Sequence, residues 1–387
     1  MRDGGYRVNT RRVAVLGSTG SVGRSALDVA AHLGVPVAGL AARSDWRALK
    51  EQVERFHPAR AALADPAAGD ELQKALDGSG TAVHKGTEGV RAVAAAAESD
   101  LVLCAISGAA CLGPVLEAAA RGKTLALANK ESMVMAGPIL LETAKRSGAA
   151  ILPVDSEHSA IFQALLGGRR EEVRRVFLTA SGGPFARTPR AEFDRITPEE
   201  ALRHPTWTMG GKITIDSATM FNKALEIVEA KWLFGLEPSQ IEVIIHPQSI
   251  VHSMVEFVDG SVIAQMGVPD MRTPIQYAFT YPARAPGSVR RLDLAEVKAL
   301  DFEAPDLEKF PSIRLGYRAA EAGGTMGAVL NAANEVAVEL FMGKKIPFPR
   351  IFEIVRTVME RHAVVPRPSL EDVLRADGWA RQEARSC

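Results

Sequence analysis

Between residues 11 and 154, six apolar runs of strand length alternate with alanine-rich stretches of helical period. The runs are RRVAVLG, VPVAGLA, RAALA, DLVLCAI, KTLALA and AAILPV. Between them SVGRSALDVAAHL, WRALKEQVERF, GDELQKALDG and GPVLEAAARG carry apolar residues at helical spacing. A strand that must be followed by a helix before the next strand can pair only in parallel. That alternation restricts this part of the chain to an α/β doubly wound parallel sheet.

The pattern changes after residue 154. VRRVFLTAS, QIEVIIH, SMVEFVDGS and VIAQMG read as longer strands, with helices at SAIFQALLG and TMFNKALEIVEAKWLFG. Strands with few helices between them predict an α+β region whose sheet has one face partly exposed. His158, His204, His246 and His252 all fall within this region. Residues 284–311 hold several prolines and no clear period, which suits a linker. From Ser312 onward the period is helical through IRLGYRAAEAGG, GAVLNAANEVAVELFMG and FPRIFEIVRTVMERHA. The 387 residues are enough for two or three domains at roughly 100–200 residues each.

Composition narrows the partners. Lys+Arg and Asp+Glu stand at 46 each, so no general field favours nucleic acid or an anionic membrane. Small molecules and copies of the same chain are the expected partners. The longest uncharged stretch, 101–116, is too short to span a bilayer and is broken by Gly108, Gly113 and Pro114. Cys104, Cys111 and Cys387 form no CxxC pair, and MRDGGYRVNTRR lacks the apolar segment of a secretory signal. A reducing, cytoplasmic location fits both features.

Two stretches carry chemistry. In VAVLGSTGSVGRSALDVAAHLG, Gly17, Gly20 and Gly23 lie between a strand and a helix. Glycines there let the backbone approach a pyrophosphate at a helix N-terminus, and Ser18, Thr19 and Ser21 add hydroxyls. The spacing is GxxGxxG, so a packing turn is the competing reading. At the end of the second strand stand Arg43 and Ser44, with Asp45 one step later. A cation at that place favours a 2′-phosphate, hence NADP.

The second stretch is PVDSEHSAIFQ, residues 153–163. If the strand runs through Ser156, Asp155 and Glu157 project to one side as two hard oxygen donors for Mg²⁺ or Mn²⁺. The same residues equally suit a helix cap. A third acid is offered by Glu226 or Glu229, beside the apolar stripe Phe221, Leu225, Val228 and Trp232. Spacing leaves that choice open, and leaves open an exposed pair with Lys223 or Lys231. Ser217, Asn222 and Lys223 make a donor cluster fit for a phosphate, and LTASGGPF adds Ser181 before a Gly-Gly turn. Lys130 follows an apolar strand and reads either as a ligand-directed cation or as a solvated loop charge.

Together LGSTGSVG, LANKES, LPVDSEHSAIFQ, LTASGGPF, HPTWTMGGKITIDSATMFNKALE, IHPQSIVHSM, GVPDMRTPI and NAANE resemble the 1-deoxy-D-xylulose 5-phosphate reductoisomerase family over about residues 12–375. The resemblance implies an N-terminal Rossmann-like NADPH-binding domain over 1–153. It implies a central α+β catalytic and dimerisation domain over 154–283, a linker over 284–311 and a helical C-terminal domain over 312–387. It implies metal ligands at Asp155, Glu157 and Glu226, a substrate contact at Ser156 and a site lysine at Lys130. Phosphate positions match Ser181, Ser217, Asn222 and Lys223, and His204 and Trp207 match a loop, 203–212, that closes over the substrate. Cofactor positions match Gly17, Thr19, Gly20, Ser21, Val22, Ala42, Arg43, Ser44, Asn129, Glu131 and Gly210. Lys130, Glu157 and His204 are the candidates for catalysis.

The implied reaction consumes a phosphorylated sugar and NADPH with Mg²⁺, Mn²⁺ or Co²⁺, in isoprenoid precursor synthesis by a cytoplasmic homodimer. The chain departs from the family pattern at Arg43 for a lysine, Ser44 for an asparagine, Phe221 for a methionine and Ala224 for a glycine. Arg43 keeps the cation, so the NADP preference is expected to survive with a changed contact, and neither Phe221 nor Ala224 removes a functional group. Two other classes compete: a simple sugar-phosphate or semialdehyde dehydrogenase, and a non-catalytic NADP sensor.

Overall fold

The computed structural model describes residues 11–204, 207 and 210–387. Residues 1–10, on which the expectation about a leader rests in part, lie outside them. Among the described residues eleven strands are formed: β1 Val13–Leu16, β2 Val37–Ala42, β3 Arg60–Leu63, β4 Ala82–Lys85, β5 Leu101–Cys104, β6 Thr124–Leu127, β7 Ile151–Pro153, β8 Val173–Ala180, β9 Ile241–Ile245, β10 Val251–Phe257 and β11 Val262–Met266. The α-helices are α1 Ser21–Leu33, α2 Trp46–Phe56, α3 Pro66–Ala75, α4 Gly86–Ala94, α5 Leu112–Ala120, α6 Lys130–Ser147, α7 Ser156–Ala164 and α8 Pro198–Ala201. They continue with α9 Gly211–Ala218, α10 Phe221–Phe234, α11 Arg272–Thr280, α12 Leu294–Val297, α13 Ser312–Ala322, α14 Met326–Met342, α15 Arg350–Arg361 and α16 Leu370–Ser386.

The chain forms two compact units. The first takes residues 1–129, 140–159 and 270–290, and the second 130–139, 160–269 and 291–387. Within the first, seven strands lie in the order β4-β3-β2-β1-β5-β6-β7, all parallel. From β1 the chain builds outward one way to β4, then returns to build the other way from β5. The order therefore reverses between β1 and β5, which places a crevice at their carboxyl ends. The central strands β1, β2 and β5 are buried along their whole length, as continuous apolar runs require. Helix α11, far along the chain, joins this unit and packs on α1. This sheet is the α/β Rossmann-like architecture expected.

β4 and α4 were not legible in the pattern. AVHK is the half-exposed edge strand, so it carries no apolar run. The expected strand through Ser156 is also corrected. β7 stops at Pro153 and Ser156 already starts α7.

In the second unit a mixed sheet runs β11-β10-β8-β9. β10 is antiparallel to β8 and β11, whereas β8 and β9 are parallel and need a crossover, which contains α8, α9 and α10. The edge strand β11 leaves Val262 49% and Ile263 37% exposed, so the partly open sheet expected here is present. Within the expected linker, α12 forms and Glu303 pairs with Ile245 beside β9. The helices from α13 onward pack around α14, most of whose residues are buried. No helix among the described residues is long and apolar enough to cross a membrane.

An aromatic cluster anchors this second core. The ring of Phe348, fully buried, lies 5.3 Å from Phe185, 5.4 Å from Phe193, 5.5 Å from Phe341 and 5.8 Å from Phe352. Each pair is edge-on, the arrangement aromatic quadrupoles favour. Phe348→Ala is expected to lower unfolding stability by about 3–5 kcal/mol in denaturant titration. A loss under about 1 kcal/mol would mean that this cluster does not hold the unit together.

Candidate active site

The first unit supplies the nucleotide loop. After β1, Gly17 turns at φ +85°, with its N–H and that of Ser18 bonded to Ala41 O at 2.8 and 2.9 Å. A Cβ at Gly17 would lie 2.5 Å from Ala105 O beyond β5, and one at Gly23 would lie 2.2 Å from Gly17 O. These two glycines are thus required by packing. Gly20 is different: exposed, extended and at the N-cap of α1, which no side chain caps. The first N–H groups of α1 are therefore offered outward, with Ser21 also exposed and Thr19 and Val22 half-buried beside them. Ser18 departs from expectation. It is fully buried, so its hydroxyl does not face a ligand as Ser21 does. Its Oγ has no hydrogen-bond partner among the described residues.

At the end of β2, Ala42 is buried while Arg43 and Ser44 are exposed. Asp45, the acid that would suit NAD, caps α2 through its Oδ1, which accepts from Ala48 N at 3.1 Å. Asn129, at the end of β6, donates to Ile106 O at 2.8 Å and Gly108 O at 3.1 Å, so it fixes the loop after β5. A loop that admits a close phosphate, an uncapped helix terminus and an exposed arginine after the second strand fit NADPH.

The same unit carries the acid stretch. Asp155 Oδ1 accepts from Glu157 N at 3.3 Å and Asp155 O from Ser159 N at 2.8 Å, so Asp155 does start α7. Ser156 Oγ donates to Glu157 Oε2 at 2.5 Å, and His158 Nδ1 lies 3.5 Å from Asp155 Oδ1. Asp155 and Glu157 thus share the first turn of a helix, not one side of a strand. The cap and the oxygen cluster coexist, since a carboxylate oxygen that accepts one hydrogen bond still has a second lone pair, and Glu157 is half-buried. Hard oxygen donors at a helix start fit a small dication.

The second unit supplies the remaining residues. Glu226, on α10, is fully buried. Its Oε1 accepts from Lys130 Nζ at 2.8 Å and Asn222 Nδ2 at 2.5 Å, and its Oε2 accepts from Lys223 Nζ. Lys130 also donates to Asn222 Oδ1 at 2.8 Å, and Lys223 to Thr179 O at 2.5 Å. Lys130 begins α6 and is 5% exposed, which rules out a solvated loop charge. The exposed-pair reading of Glu226 and Glu229 also fails, because both are fully buried. Lys231 is used elsewhere, donating to Ala320 O at 2.5 Å.

Ser181 follows β8, and the Gly182–Gly183 turn has φ +85° and +70°. A Cβ at Gly183 would stand 2.6 Å from Ser217 O, so this turn lies directly against the end of α9. Met220, at φ +59°, then reverses the chain into α10, where Asn222 and Lys223 occupy the first turn. A bulky residue held in the left-handed region is the kind of strain that accumulates where geometry is set by function. Ser181 Oγ accepts from Gly183 N at 3.2 Å and lies 3.2 Å from His204 Nε2. His204 Nδ1 accepts from Trp207 N at 3.0 Å, so Nε2 carries the proton and donates to Ser181. Burial lowers the His204 pKa and keeps the ring neutral. Trp207 is 6.5 Å from His252, ring to ring. Pro205, Thr206, Thr208 and Met209 of the expected closing loop lie outside the described residues.

His246 is structural: its Nδ1 meets Asp301 O at 2.8 Å, its Nε2 accepts from Ile250 N and its ring stacks on Phe302. One group of residues carried no expectation of its own. Half-buried Lys212 and buried Asp216 form a pair at 2.7 Å, and only their four-residue spacing in GKITID signalled it.

Three family models match the chain. One described as 1-deoxy-D-xylulose 5-phosphate reductoisomerase covers residues 13–137, and that enzyme's C-terminal domain model covers 151–234. A DXP reductoisomerase C-terminal domain model covers 266–383. Among similar proteins, the 1-deoxy-D-xylulose 5-phosphate reductoisomerase of Pelotomaculum thermopropionicum is 51% identical over 374 residues, 96% of this chain and 97% of that one. That of Chlorobium phaeovibrioides is 51% identical over 97% and 98% of the two chains. Two solved structures superpose with a TM-score of 0.91: the reductoisomerase of Zymomonas mobilis in complex with NADPH, 43% identical over 98% of this chain and 99% of that one, and a DOX-P reductoisomerase in complex with NADPH, fosmidomycin and magnesium, 39% identical over 97% and 98%. The chain belongs to the 1-deoxy-D-xylulose 5-phosphate reductoisomerase family.

Proposed function

We propose that this chain converts 1-deoxy-D-xylulose 5-phosphate and NADPH to 2-C-methyl-D-erythritol 4-phosphate and NADP, by a carbon-skeleton rearrangement followed by reduction. The observation that carries this reading is the buried Glu226 carboxylate gripped by Lys130, Asn222 and Lys223, in the unit where the Gly183 turn after Ser181 lies against Ser217. A plain dehydrogenase has no need of such a group. In this reading Asp155, Glu157 and Glu226 hold Mg²⁺, Mn²⁺ or Co²⁺. Thr19, Gly20, Ser21, Val22, Ala42, Arg43, Ser44, Asn129, Glu131 and Gly210 face NADPH, with Gly17 shaping the loop. Segment 1–153 is the cofactor domain, 154–283 the catalytic one and 312–387 a helical support after the 284–311 linker. The partly exposed β11 edge supports a homodimer, and the cytoplasm is the proposed location.

When bound, the dication and NADPH supply Lewis acidity and a hydride. The chain's own groups position and protect. Lys130 and Lys223, which hold Glu226, can turn an N–H toward a substrate oxygen when a dication shares that carboxylate. Ser181 receives a hydrogen bond from His204 and so keeps its hydroxyl proton for a phosphate oxygen, with Ser217, Asn222 and Lys223 as further donors. Holding the phosphate away from the reacting carbons provides binding energy for orientation. Glu157, beside Ser156, is placed to carry a proton, and Trp207 to exclude water.

NADPH oxidation with 1-deoxy-D-xylulose 5-phosphate is expected in Mg²⁺ or Mn²⁺ and should disappear with a chelator. Absence of oxidation with metal present would overturn the reading, and oxidation indifferent to chelator would favour a plain dehydrogenase. Glu226→Gln should cut metal-dependent turnover by at least about 100-fold, the upper end of what loss of an outer partner costs.

The His204 latch gives a second test. Trp207 N needs an unprotonated Nδ1, and the lowered pKa means that the latched state disfavours the cation. The latch is therefore complete above the ordinary histidine value of about 6.5 and is lost as pH falls through the lowered one. The KM for the sugar phosphate should rise on that acid limb, and His204→Gln should flatten the rise. An unchanged profile in that variant would exclude His204 as the group responsible.

A further inference from the structure

Helix α2 buries Leu49 and Val53, and between them in sequence Gln52 is half-buried. An apolar side chain would suit that place. The amide instead buries its Oε1 with no hydrogen-bond partner among the described residues, a cost that an apolar side chain would not carry. What the glutamine gains is one bond: its Nε2 donates to Ser18 O, 3.0 Å away in the glycine loop after β1. A carbonyl only accepts, so Ser18 O fixes which end of the amide faces the loop. The Ser18 hydroxyl does not help to hold this segment, being buried without a partner among the described residues. The loop is therefore held here through its main chain.

The other bonds of the loop give this contact a task. Gly17 N and Ser18 N donate to Ala41 O, and Gly20 N donates to Gly17 O at 3.0 Å. Of the four amides from Gly17 to Gly20, only that of Thr19 has no acceptor among the described residues. The Ser18–Thr19 peptide is trans, and its planarity makes the N–H point opposite to the C=O. Gln52 draws that C=O toward α2 and so turns the Thr19 N–H away from α2. Arg24 Nη1 holds the following carbonyl, Thr19 O, at 2.6 Å, which leaves the segment little freedom to rotate. We propose that Gln52 is a positioning residue that aims the Thr19 N–H at the diphosphate of NADPH. An N–H already set in direction binds an anion without the cost of ordering it first. The inference rests on the reading of Thr19 as a cofactor contact, and Gln52 itself touches no cofactor in it.

The test uses the full chain and its Gln52→Met and Gln52→Glu variants, which keep the length of the side chain and lose the donor. NADPH affinity is read from the coenzyme's fluorescence. Affinity for adenosine 2′-monophosphate, which has no diphosphate, is read from its competition with NADPH. Gln52→Met should weaken NADPH binding about tenfold, the upper end of what one hydrogen bond contributes, and leave adenosine 2′-monophosphate within about twofold. KM for NADPH should rise with kcat unchanged, because the diphosphate is held alike in ground and transition states. Gln52→Glu, whose ionised carboxylate repels Ser18 O, should weaken NADPH at least as much. If Gln52→Met does not fold, Gln52→Glu carries the same comparison. A glutamine that only packs α2 would be replaced by methionine without loss. NADPH affinity within about twofold of the parent in whichever variant folds would therefore overturn the proposal. An equal loss for both ligands would overturn it too, since Gln52 would then serve the Arg43 end of the site. A parent that bound no NADPH would instead overturn the functional reading beneath it.

Discussion

A buried carboxylate is tolerated only when its oxygens are satisfied, and Glu226 is the group on which the second unit's site depends. Leaving such a group without partners costs several kcal/mol, so its neighbours are constrained as strongly as the acid itself. Lys130 must come from the first residue of α6, Asn222 and Lys223 from the first turn of α10, and the carbonyl of Thr179 from β8. One acid therefore sets the relative placement of two helices and a strand. The left-handed Met220 follows from that demand. The chain must turn sharply after α9 to bring Asn222 and Lys223 round to the carboxylate, and the strain sits at the turn.

The nucleotide loop is governed by contact and not by charge. Gly17 and Gly23 are required because backbone from β5 and from the loop itself occupies the space of a side chain. The packing explanation and the cofactor explanation are thus the same fact seen from two sides. Close packing of β1 against the loop after β5 leaves the N-terminus of α1 uncapped and outward, which is what a phosphate needs. Asp45 shows the same economy. It caps α2 with one oxygen and is exposed beside Arg43 and Ser44 after β2.

How much of this was legible follows from where the signal lies. α1 and α2 have the limits their periodicity predicts, because one face of each is apolar against a buried sheet. β4 escaped because an edge strand needs no apolar run. The start of α6 escaped because LANKES carries no helical period, yet its lysine turns out to be buried. The motif stretches were legible as a family likeness well before their geometry was. Spacing could not separate Glu226 from Glu229, and burial does not separate them either, since both are fully buried. Glu226 takes donors from Asn222 and Lys223, one turn before it on the same helix, and from Lys130, which nothing in the sequence spacing relates to it.

The acid stretch is the clearest case of an expected geometry that the fold corrects. Two acids two residues apart project together from a strand, but here the strand has ended and both sit in the first turn of α7. The helix start does what the strand was expected to do. The positive end of its dipole favours carboxylates there, and Asp155 caps the helix by accepting from Glu157 N, with Glu157 beside Ser156. A cap and a cation site draw on different lone pairs of the same residues. Choosing between them was therefore never required by the chemistry: the cap is what orients the oxygens that a dication would use.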